Sequence, residues 1–456
     1  MLANVVKTSF RFLSKNRIYT LINVLGLALG LAITTLIFLY VTDELSYDKF
    51  HRGHENIYRI QESYKWGEHE QFWATCDGSM ANNILENTDD DADVCRIMSY
   101  FNPPFLFANA RSTETAQAIF ADSSFFNVFS FPMKETLDGD LLNSSHKVMI
   151  SESVSTELFG DSSAVGKMIE ADGEQYEISG VFYEIPENSH LHFDAVFPME
   201  LLRESFPKLD SSGPMVFYTY LKFENEESAR RLKSNLQKKM DEEILELKEK
   251  TKDVRKEFSQ LEGEVVLMPI SDIHLKGHAE KEYQTNGNLE YIIIYLTIAL
   301  FILLLASINY VNLATASSVK RAREVGVRKV LGAKRKNIFL HFFSEAFILV
   351  LFSTITALVF VELSFPSFNA FVGKNLSLNM IWSSDILLFL IVNVFVLTLL
   401  SGLYPSIFMS NFSPLMVLAN RLNAQKNNKL NLVLRRILVI SQFSIAVFLS
   451  LASFSV

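Results

Sequence analysis

The sequence predicts a membrane protein in which an α-helical transmembrane bundle carries an inserted, mixed α/β domain outside the membrane. Two observations predict this fold class. Residues 43–290 hold 47 of the 51 acidic residues and 24 of the 42 basic ones, so their net charge is −23, whereas the rest of the chain carries +14. The basic remainder also contains five long stretches that are almost free of charge. Because charged side chains are costly in hydrocarbon, this segregation is typical of a water-exposed domain joined to membrane spans.

The five charge-poor stretches are predicted to be transmembrane helices, since a helix needs about 20 apolar residues to cross a bilayer. The predicted spans are residues 18–42, 291–319, 338–362, 386–410 and 437–456. An acidic residue, Glu345, lies near one end of the third span. The first span is longer than the apolar core of a signal peptide and lacks a small-x-small cleavage site, so it is predicted to be an uncleaved anchor.

The distribution of lysine and arginine predicts the orientation of the spans. Basic residues concentrate in residues 1–17, 320–337 and 411–436, which are therefore predicted to be cytoplasmic. The short loop 363–385 contains a single base, Lys374, and is predicted to lie on the outer side. Residues 43–290 then lie outside as well, with the N-terminus inside.

The outer block has signals for both strands and helices. Alternating residues predict strands at 147–150 and 176–181, and residues 226–261 are predicted to form a long charged helix. The apolar stripe of that helix consists of Leu232, Leu236, Met240, Ile244 and Leu247. Cys76 and Cys95 lie on the side where a disulfide can persist, and spacing leaves a bridge and two free thiols equally open.

Two segments of the outer block contain residue types that could form a metal site or a phosphate-binding loop. His190-x-His192-x-Asp194 places metal-ligand residue types at strand spacing, where alternate residues share a face. The favoured alternative is an ordinary polar loop at a strand edge. Gly160 to Lys167 has the wrong spacing for a phosphate-binding loop and lacks its hydroxyl, so the chain is not expected to hydrolyse ATP itself. A pI of 5.6 argues against a nucleic-acid binder.

The inner segment 317–336 shows helical spacing of apolar residues, which a simple basic loop does not require. Apolar residues recur near helical spacing between the bases, and Glu324 and Arg328 form an i, i+4 pair. Gly332 is placed to end a helix. The simpler alternative is a positive-inside loop that contacts anionic lipid. The pattern favours an amphipathic helix across the membrane face that docks a cytoplasmic partner.

Several motifs together resemble a known family. The most specific is SINYVNLATA at residues 307–316, which continues into RAREVGVRKVLGA at residues 321–333. Further matching motifs are ELSYDKFH at 44–51, IYR at 57–59, PENSHLHFD at 186–194, DIHL at 272–275 and YPS at 404–406. On these residues the chain is similar to the MacB/FtsX/LolC-like, type VII permeases of ABC transporters.

The resemblance implies a function that pattern alone does not. It implies a periplasmic core domain at residues 43–290 in a multi-pass protein of the bacterial inner membrane, without catalytic residues, metal or cofactor of its own. Residues 320–337 are implied to be the coupling helix that docks on a separate cytoplasmic ABC ATPase. The implied ATPase contacts are Glu324, Gly326, Arg328, Lys329, Leu331, Gly332 and Ala333. The implied packing and transmission residues of the second span are Ser307, Asn309, Asn312 and Ala314.

Such permeases work as dimers, and ATP-driven closure of the ATPase is transmitted through the spans to the outer domain. Implied partners are membrane lipid, a second permease in a homodimer or heterodimer, and a periplasmic adaptor or substrate protein. The exported or extracted substrate is not specified. The alternative is an FtsX-like scaffold that regulates a cell-envelope hydrolase without transport. A third hypothesis, a membrane-anchored metalloenzyme that uses the outer histidines, is disfavoured.

The fifth span departs from the one-repeat members of the family, which have four spans. Residues 435–443, RRILVISQF, resemble the opening of a second repeat. We therefore expect one complete repeat followed by the first helix of another.

Overall fold

The structure, a computed structural model, describes residues 14–88, 92–99, 105–108, 113–137, 141–211, 213–251, 260–410 and 429–455. The chain divides into two compact units. We call Met1–Asp43 with Glu290–Val456 the membrane unit, and Glu44–Leu289 the outer unit. Each is described by itself below.

The secondary structure of the described residues combines long helices with short strands. The helices are α1 (Arg17–Glu44), α2 (Met80–Asn87), α3 (Phe125–Val128), α4 (Glu152–Phe159), α5 (Met199–Ser205), α6 (Glu226–Thr251), α7 (Ile270–Lys276), α8 (Leu289–Val330), α9 (Arg335–Val372), α10 (Ser384–Ser410) and α11 (Lys429–Ser455). The strands are β1 (Ile57–Trp66), β2 (His69–Trp73), β3 (Asp93–Ser99), β4 (Phe105–Ala108), β5 (Thr113–Ala116), β6 (Ala118–Ala121), β7 (Met133–Thr136), β8 (Lys147–Ser151), β9 (Met168–Ala171), β10 (Glu174–Phe182), β11 (Ala195–Pro198), β12 (Tyr218–Lys222) and β13 (Glu262–Pro269).

The membrane unit contains four described helices that are long and apolar enough to cross a membrane. They are α1, the Leu289–Ser317 part of α8, α9, and the Ser384–Ile407 part of α10. Their inward faces share one hydrophobic core, to which α1 contributes Leu27 and Leu31 and α9 contributes Leu349 and Val350. The predicted fifth span lies in α11, whose described apolar part, Arg436–Phe448, is shorter than the others.

The outer unit is built on a single sheet of thirteen described strands. The strands follow the order β13-β1-β12-β3-β6-β11-β8-β10-β9-β4-β5, with β2 paired to β1 and β7 paired to β10. Most pairs are antiparallel, but β8 with β10 and β6 with β11 are parallel. The strands predicted at 147–150 and 176–181 are confirmed as β8 and β10. The predicted fold class, a helical membrane bundle with an inserted α/β domain, is therefore confirmed.

Helix α6 packs along the β13 end of this sheet. Four predicted stripe residues are buried against β1, β12 and β13: Leu232, Leu236, Met240 and Ile244. The prediction for Leu247 was wrong, because its side chain is 41% exposed. The helix ends at Thr251, residues 252–259 lie outside the described part, and a strand begins at Glu262.

The two cysteines are resolved in favour of free thiols. Cys76 and Cys95 are fully buried and neither is in a disulfide. Burial raises the pKa of both thiols well above the usual value, so both remain protonated and unreactive at neutral pH.

Candidate functional site

The inner segment lies at the turn that joins α8 to α9. Helix α8 does not stop at residue 319 but continues to Val330, and α9 begins at Arg335. The prediction of a separate helix over 320–337 was therefore wrong at both boundaries. At about 1.5 Å per residue, α8 extends about 20 Å beyond its apolar part. We call residues 325–338 the cytoplasmic turn, after its predicted side.

The backbone of the cytoplasmic turn closes as a Schellman motif. Gly332 has φ +92°, the left-handed conformation that glycine adopts without strain. Its N–H donates to the carbonyl of Lys329 at 3.0 Å, and the N–H of Ala333 donates to the carbonyl of Arg328 at 2.9 Å. These two bonds satisfy the last carbonyls of α8, so the turn is a fixed structure. The prediction that Gly332 ends a helix is confirmed.

The inner side of the cytoplasmic turn is buried. Val325, Ile338, Phe342 and Met409 form a small hydrophobic cluster against which Ala333 packs. Gly326 is buried beside it. The turn is further attached to the end of α10, because Lys329 Nζ donates to the carbonyl of Ser410 at 2.6 Å. Partial burial, with help from the positive charge of Arg335, lowers the pKa of Lys329.

The outer side of the cytoplasmic turn exposes apolar residues. Leu331 is 80% exposed, Val330 61% and Val327 53%. The neighbouring bases Lys334, Arg335 and Lys336 are exposed as well. The side chain of Glu324 lies outside the described part, and Arg328 is half-buried. The predicted contact residues thus divide into an inward set that shapes the turn and an outward tip at Leu331.

Helices α1 and α8 approach each other closely at small residues. A Cβ placed on Gly30 would lie 3.0 Å from the Cβ of Ala306, and one on Gly26 would lie 3.7 Å from Asn309 Nδ2. Ser307 is 4% exposed beside this contact. The family resemblance implies packing residues in the second span, Ser307, Asn309, Asn312 and Ala314, but does not name their partner in the first span. The signal was readable, because Gly26 and Gly30 have the Gly-x-x-x-Gly spacing of close transmembrane packing.

The opposite neighbour of α8 is α11. Asn312 Nδ2 lies 3.5 Å from Gln442 Oε1, at the limit of a hydrogen bond, and the Phe301 and Phe448 rings meet edge to face at 5.6 Å. Ala314 packs against the core of the membrane unit. The four predicted packing residues of α8 therefore face different neighbours rather than one site.

In the outer unit, motifs far apart in the sequence meet where the chain enters the unit. Glu44 Oε2 lies 2.8 Å from His274 Nε2, and the ring of Tyr47 stacks on His274 at 3.4 Å. The side chain of Asn188 donates to the carbonyl and hydroxyl oxygens of Ser46 at 3.2 and 2.8 Å. We call residues 44–51, the side chains they contact, and the adjoining Tyr220, Arg59 and Glu282 the outer entry.

Asp48 is the centre of the outer entry. It is 0% exposed, and its Oδ1 lies 2.8 Å from His190 Nδ1, an ion-pair distance without hydrogen-bond alignment. Oδ1 also accepts the backbone N–H of His190 at 3.1 Å. Burial alone raises the pKa of Asp48, but the nearby His190 side chain and the backbone N–H of His190 more than offset it, so the pKa is lowered. A carboxylate is therefore maintained inside the fold.

The network continues from Asp48 into the sheet. His190 Nε2 lies 2.8 Å from the hydroxyl of Tyr220 on β12. On the neighbouring strand, the buried Arg59 donates twice to Glu282, at 2.7 and 2.6 Å. Glu282 belongs to the segment that leads into α8. The outer entry thus connects the residues that follow α1 with the residues that precede α8.

His51 is a second buried histidine of the outer entry. It is 2% exposed, and its Nδ1 accepts the backbone N–H of Ser130 at 3.1 Å. Burial lowers its pKa to about 3, outweighing the attraction of Asp48. His51 is therefore neutral throughout the physiological pH range.

The candidate metal ligands His190, His192 and Asp194 contact different partners. Residues 190–194 are irregular and the strand begins at Ala195, in agreement with the favoured interpretation of a polar loop at a strand edge. His190 contacts Asp48, whereas His192 Nδ1 lies 2.7 Å from Gln284 Nε2 and Asp194 accepts the backbone N–H of Gln117 at 2.8 Å. In the described ranges, no group of three or more His, Cys, Asp or Glu side chains is arranged to hold a metal ion.

Two segments of the chain match known protein families. Residues 20–239 match the family described as the MacB-like periplasmic core domain. Residues 296–414 match the family described as the FtsX-like permease C-terminal domain. The two matches cover the outer unit with its preceding span and the helices that follow it.

Individual relatives agree with these matches. The chain is 26% identical over 235 residues to the ABC transporter permease YvrN of Bacillus subtilis, covering 50% of this chain and 52% of YvrN. It is 28% identical over 229 residues to the ABC transporter permease YknZ of the same organism, covering 47% of each chain. The chain thus spans about half the length of these curated relatives.

Among solved structures, the periplasmic region of MacB from Actinobacillus actinomycetemcomitans is similar with 17% identity and a TM-score of 0.30, covering 41% of this chain and 84% of that one. The family matches, together with the four membrane helices and the inserted α/β domain, identify an integral membrane protein with an extracytoplasmic domain. The chain thus combines a match to the MacB-like periplasmic core domain with a match to the FtsX-like permease C-terminal domain, and the curated relatives to which it is similar are ABC transporter permeases.

Proposed function

We propose that the chain is the permease subunit that couples ATP hydrolysis by a separate ATPase to a conformational change of its extracytoplasmic domain, for export or extraction of an envelope substrate. Similarity to ABC transporter permeases supports the ATPase partner. The observation that carries the proposal is the cytoplasmic turn, where an exposed apolar tip stands on a rigid, buried base.

The tip is suited to a protein partner rather than to lipid. Leu331 is 80% exposed and Val330 61%, and both follow Arg328 and Lys329 and precede a second group of bases. The family matches, which imply an ATPase partner, favour a protein groove over a membrane interface for these apolar side chains. An ATPase groove with an apolar floor and an acidic rim fits this tip.

The proposed roles follow the burial of each described residue, and the role of Glu324 follows from the family resemblance alone. Leu331 inserts into the ATPase, and Glu324 and Arg328 line the contact. Gly332 and Ala333 form the Schellman motif, Lys329 holds the turn against α10, and Gly326 lets the chain pass through the buried side of the turn. A force on Leu331 would then reach α8, α9 and α10 together, since all three meet beneath it.

The second group of proposed residues transmits that force along α8. Ser307 and Asn309 lie at the close contact with α1, Ala314 packs in the core, and Asn312 faces α11. Close packing of small residues leaves little slack between neighbouring helices. A displacement of α8 would therefore also move α1.

The orientation and the remaining partners are part of the proposal. The N-terminus and residues 320–337 and 411–436 are cytoplasmic, and residues 43–290 are periplasmic. The permease acts in a homodimer or heterodimer, contacts lipid, and meets an adaptor or substrate protein outside. It catalyses no reaction itself, and ATP is hydrolysed by the partner.

The test is recovery of the ATPase with tagged permease, followed by measurement of the ATPase rate. Leu331→Asp is expected to weaken ATPase binding about 30-fold, as for an interface residue worth about 2 kcal/mol. Leu245→Asp is the matched control, because Leu245 is 60% exposed on α6 of the outer unit. Equal ATPase recovery and stimulation by the two variants would overturn the proposal.

A further inference from the structure

A cavity of about 440 Å³ lies within the outer unit, and we call it the polar cavity. Its volume is in the range of small-molecule binding sites. The lining residues are mostly polar or charged, and they include Asn82, Arg96, Asp122, Ser123, Glu200 and Arg203. All of the lining residues lie outside the outer entry. The polar cavity is therefore a separate candidate site.

The sheet places the polar cavity beyond the carboxyl ends of two parallel strands. Strands β6 and β11 run side by side, and their last residues, Ala121 and Pro198, lie opposite each other. Asp122 directly follows β6, and α5, which carries Glu200 and Arg203, directly follows β11. In open α/β sheets, ligands bind in the crevice outside the carboxyl ends of the strands. Charged side chains of the outer unit thus lie where such sheets bind their ligands.

Two arginines and two aspartates form a fixed network beside the cavity. Arg96 donates to Asp122 through Nε at 2.9 Å and to Asp210 through Nη1. Arg203 donates to Asp210 through Nε at 3.0 Å and to Asp122 through Nη2 at 3.1 Å. Burial raises the pKa of Asp210, but the hydrogen bonds from the two arginines more than offset this, so the pKa is lowered. A closed network of this kind holds its members rigidly.

Arg203 is the arginine of this network that faces the cavity. Its side chain is 32% exposed, whereas that of Arg96 is 5% exposed. Arg203 also donates to Glu200 through Nη1 at 3.0 Å, so its bonds to carboxylates use three of the five N–H donors of a guanidinium. The other N–H groups are held in a fixed plane and can meet a ligand at a low cost in rotamer entropy.

The charges around the polar cavity disfavour an anionic ligand. The two arginines are surrounded by three carboxylates, those of Asp122, Asp210 and Glu200, and each arginine is paired with at least two of them. An anion that entered the cavity would lose water and meet like charge without gaining an unpaired base. A neutral ligand avoids this cost.

The lining offers hydrogen-bond donors and acceptors together. Arg203 supplies N–H groups, Glu200 supplies a carboxylate, and the exposed side chains of Asn82 and Ser123 both donate and accept. A ligand with several hydroxyl groups can bond to all of them at once, because each hydroxyl also donates and accepts. Leu85, which is 57% exposed on α2, provides apolar surface for the C–H face of a sugar ring. These features fit a small saccharide.

We propose that the polar cavity binds a neutral saccharide unit, with Arg203 donating to the sugar hydroxyls and the carboxylates excluding anions. The site goes beyond the proposed coupling function, because its lining lies wholly in the outer unit and its ligand is independent of the ATPase. A free sugar and a sugar unit of an envelope glycan present the same hydroxyl groups. The chain length of the bound saccharide distinguishes these two sources.

The experiment titrates the full chain in lipid nanodiscs, without ATPase, and follows the sugars by saturation-transfer NMR against empty nanodiscs. The neutral probes are glucose, N-acetylglucosamine, cellobiose and chitobiose, and the anionic probes are the 6-phosphates of the two monosaccharides. At least one neutral probe is expected to bind with a Kd of about 1 mM or lower. The phosphates should bind at least about tenfold more weakly than the best neutral probe, because the carboxylates repel them.

Two substitutions test the site by different routes. Arg203→Met removes the fixed donors and should weaken binding of the best neutral probe about 30-fold. Asn82→Trp fills the cavity from an exposed position and should weaken binding at least as much, while the arginine network stays intact. Glu249→Trp is the matched control, because it adds the same ring at an exposed position of α6 that does not line the cavity, and it should bind like wild type.

Glu200→Gln tests the exclusion of anions. The variant keeps a hydrogen-bonding side chain of the same size but removes the charge of a carboxylate that is 53% exposed. The preference for a neutral monosaccharide over its 6-phosphate should fall about fivefold, a ratio that a merely structural role would not change. An unchanged preference would contradict the proposed role of the carboxylates.

The proposal is overturned if no neutral probe binds, if Asn82→Trp binds the best probe like wild type, or if a phosphate binds as tightly as its parent sugar. Once binding is measured, cellohexaose or chitohexaose, matched to the best probe, identifies the source. A Kd close to that of the short sugar supports a free saccharide, and tighter binding of the hexasaccharide supports an envelope glycan. Because the ATPase is not present, these outcomes are distinct from failure of the proposed coupling function.

Discussion

The cytoplasmic turn and the outer entry differ in which side chains they expose and which they bury. The turn exposes its apolar residues, with Leu331 80% exposed, and buries only the residues that shape it. The outer entry hides its charges, with Asp48 and Arg59 both 0% exposed. The difference agrees with the proposal that the turn docks a partner, whereas the buried pairs of the outer entry stabilise the outer unit itself.

The comparison separates two kinds of mutational effect. An exposed apolar side chain contributes little to the fold, so its replacement changes stability by less than about 0.5 kcal/mol. A buried charge that loses its partner destabilises the fold by several kcal/mol. Variants of the outer entry should therefore lose stability, whereas variants of the tip should lose a partner.

The largest expected effect is at Arg59. Glu282→Ala removes the carboxylate that accepts two bonds from this buried guanidinium and should destabilise the outer unit by about 3–5 kcal/mol. Denaturant unfolding of the full chain measures the loss. Glu226→Ala, which breaks an exposed pair with Arg230, should change stability by only about 0.3–0.5 kcal/mol. If Glu282→Ala and Glu226→Ala lower the free energy of unfolding equally, the buried ion pair contributes no more to stability than the exposed one.

The next effect is a dependence of stability on pH. Folded His51 remains neutral down to its pKa of about 3, whereas the unfolded chain protonates it near 6.5. The unfolded state therefore binds more protons between these values, and stability falls as the pH is lowered, by at most about 1.4 kcal/mol per unit. His51→Asn should remove this part of the slope between pH 7.5 and 5.

The control for that slope is His69→Asn, since His69 is exposed on β2. Unfolding midpoints at the two pH values compare the three proteins. If His51→Asn loses as much stability as wild type when the pH is lowered from 7.5 to 5, burial of His51 is not the cause of the pH dependence.

The smallest expected effect is on the shape of the cytoplasmic turn. Gly332→Ala places a side chain at φ +92°, which costs about 1–2 kcal/mol, and should weaken ATPase binding about fivefold. Gly332→Asn should lose less, because asparagine tolerates the left-handed conformation better. The ratio of recovered ATPase to permease measures both. Equal binding by the glycine and alanine proteins would mean that the Schellman motif does not position the tip.

Different physical signals explain what the sequence could predict. The membrane helices were readable because hydrocarbon excludes charge over long, continuous stretches. The end of α8 at Gly332 was readable from a local glycine signal. The length of α8 was not readable from charge. The basic residues after position 319 mark the end of the membrane span, but lysine and arginine are good helix formers, so the helix itself continues to Val330.

The outer entry could not be derived from spacing. Glu44 and His274 are 230 residues apart, and nothing local in either motif specifies the other. The contacts of residues 190–194 could not be derived from spacing for the same reason. The N–H of His190 donates to the Asp48 side chain, and the Asp194 carboxylate accepts the N–H of Gln117, so both contacts join residues that lie far apart in the sequence.

The most direct test of the central claim is hydrogen exchange at the outer entry in the complex of full chain and ATPase. Amides of residues 44–51 and 186–194 are compared with and without ATP, in wild type and in Leu331→Asp. We predict that ATP changes their exchange in wild type and leaves it unchanged in the variant, while the exposed end of α6 serves as an internal reference. Exchange that is the same in both nucleotide states of the wild-type complex would contradict the claim that the cytoplasmic turn drives the outer domain.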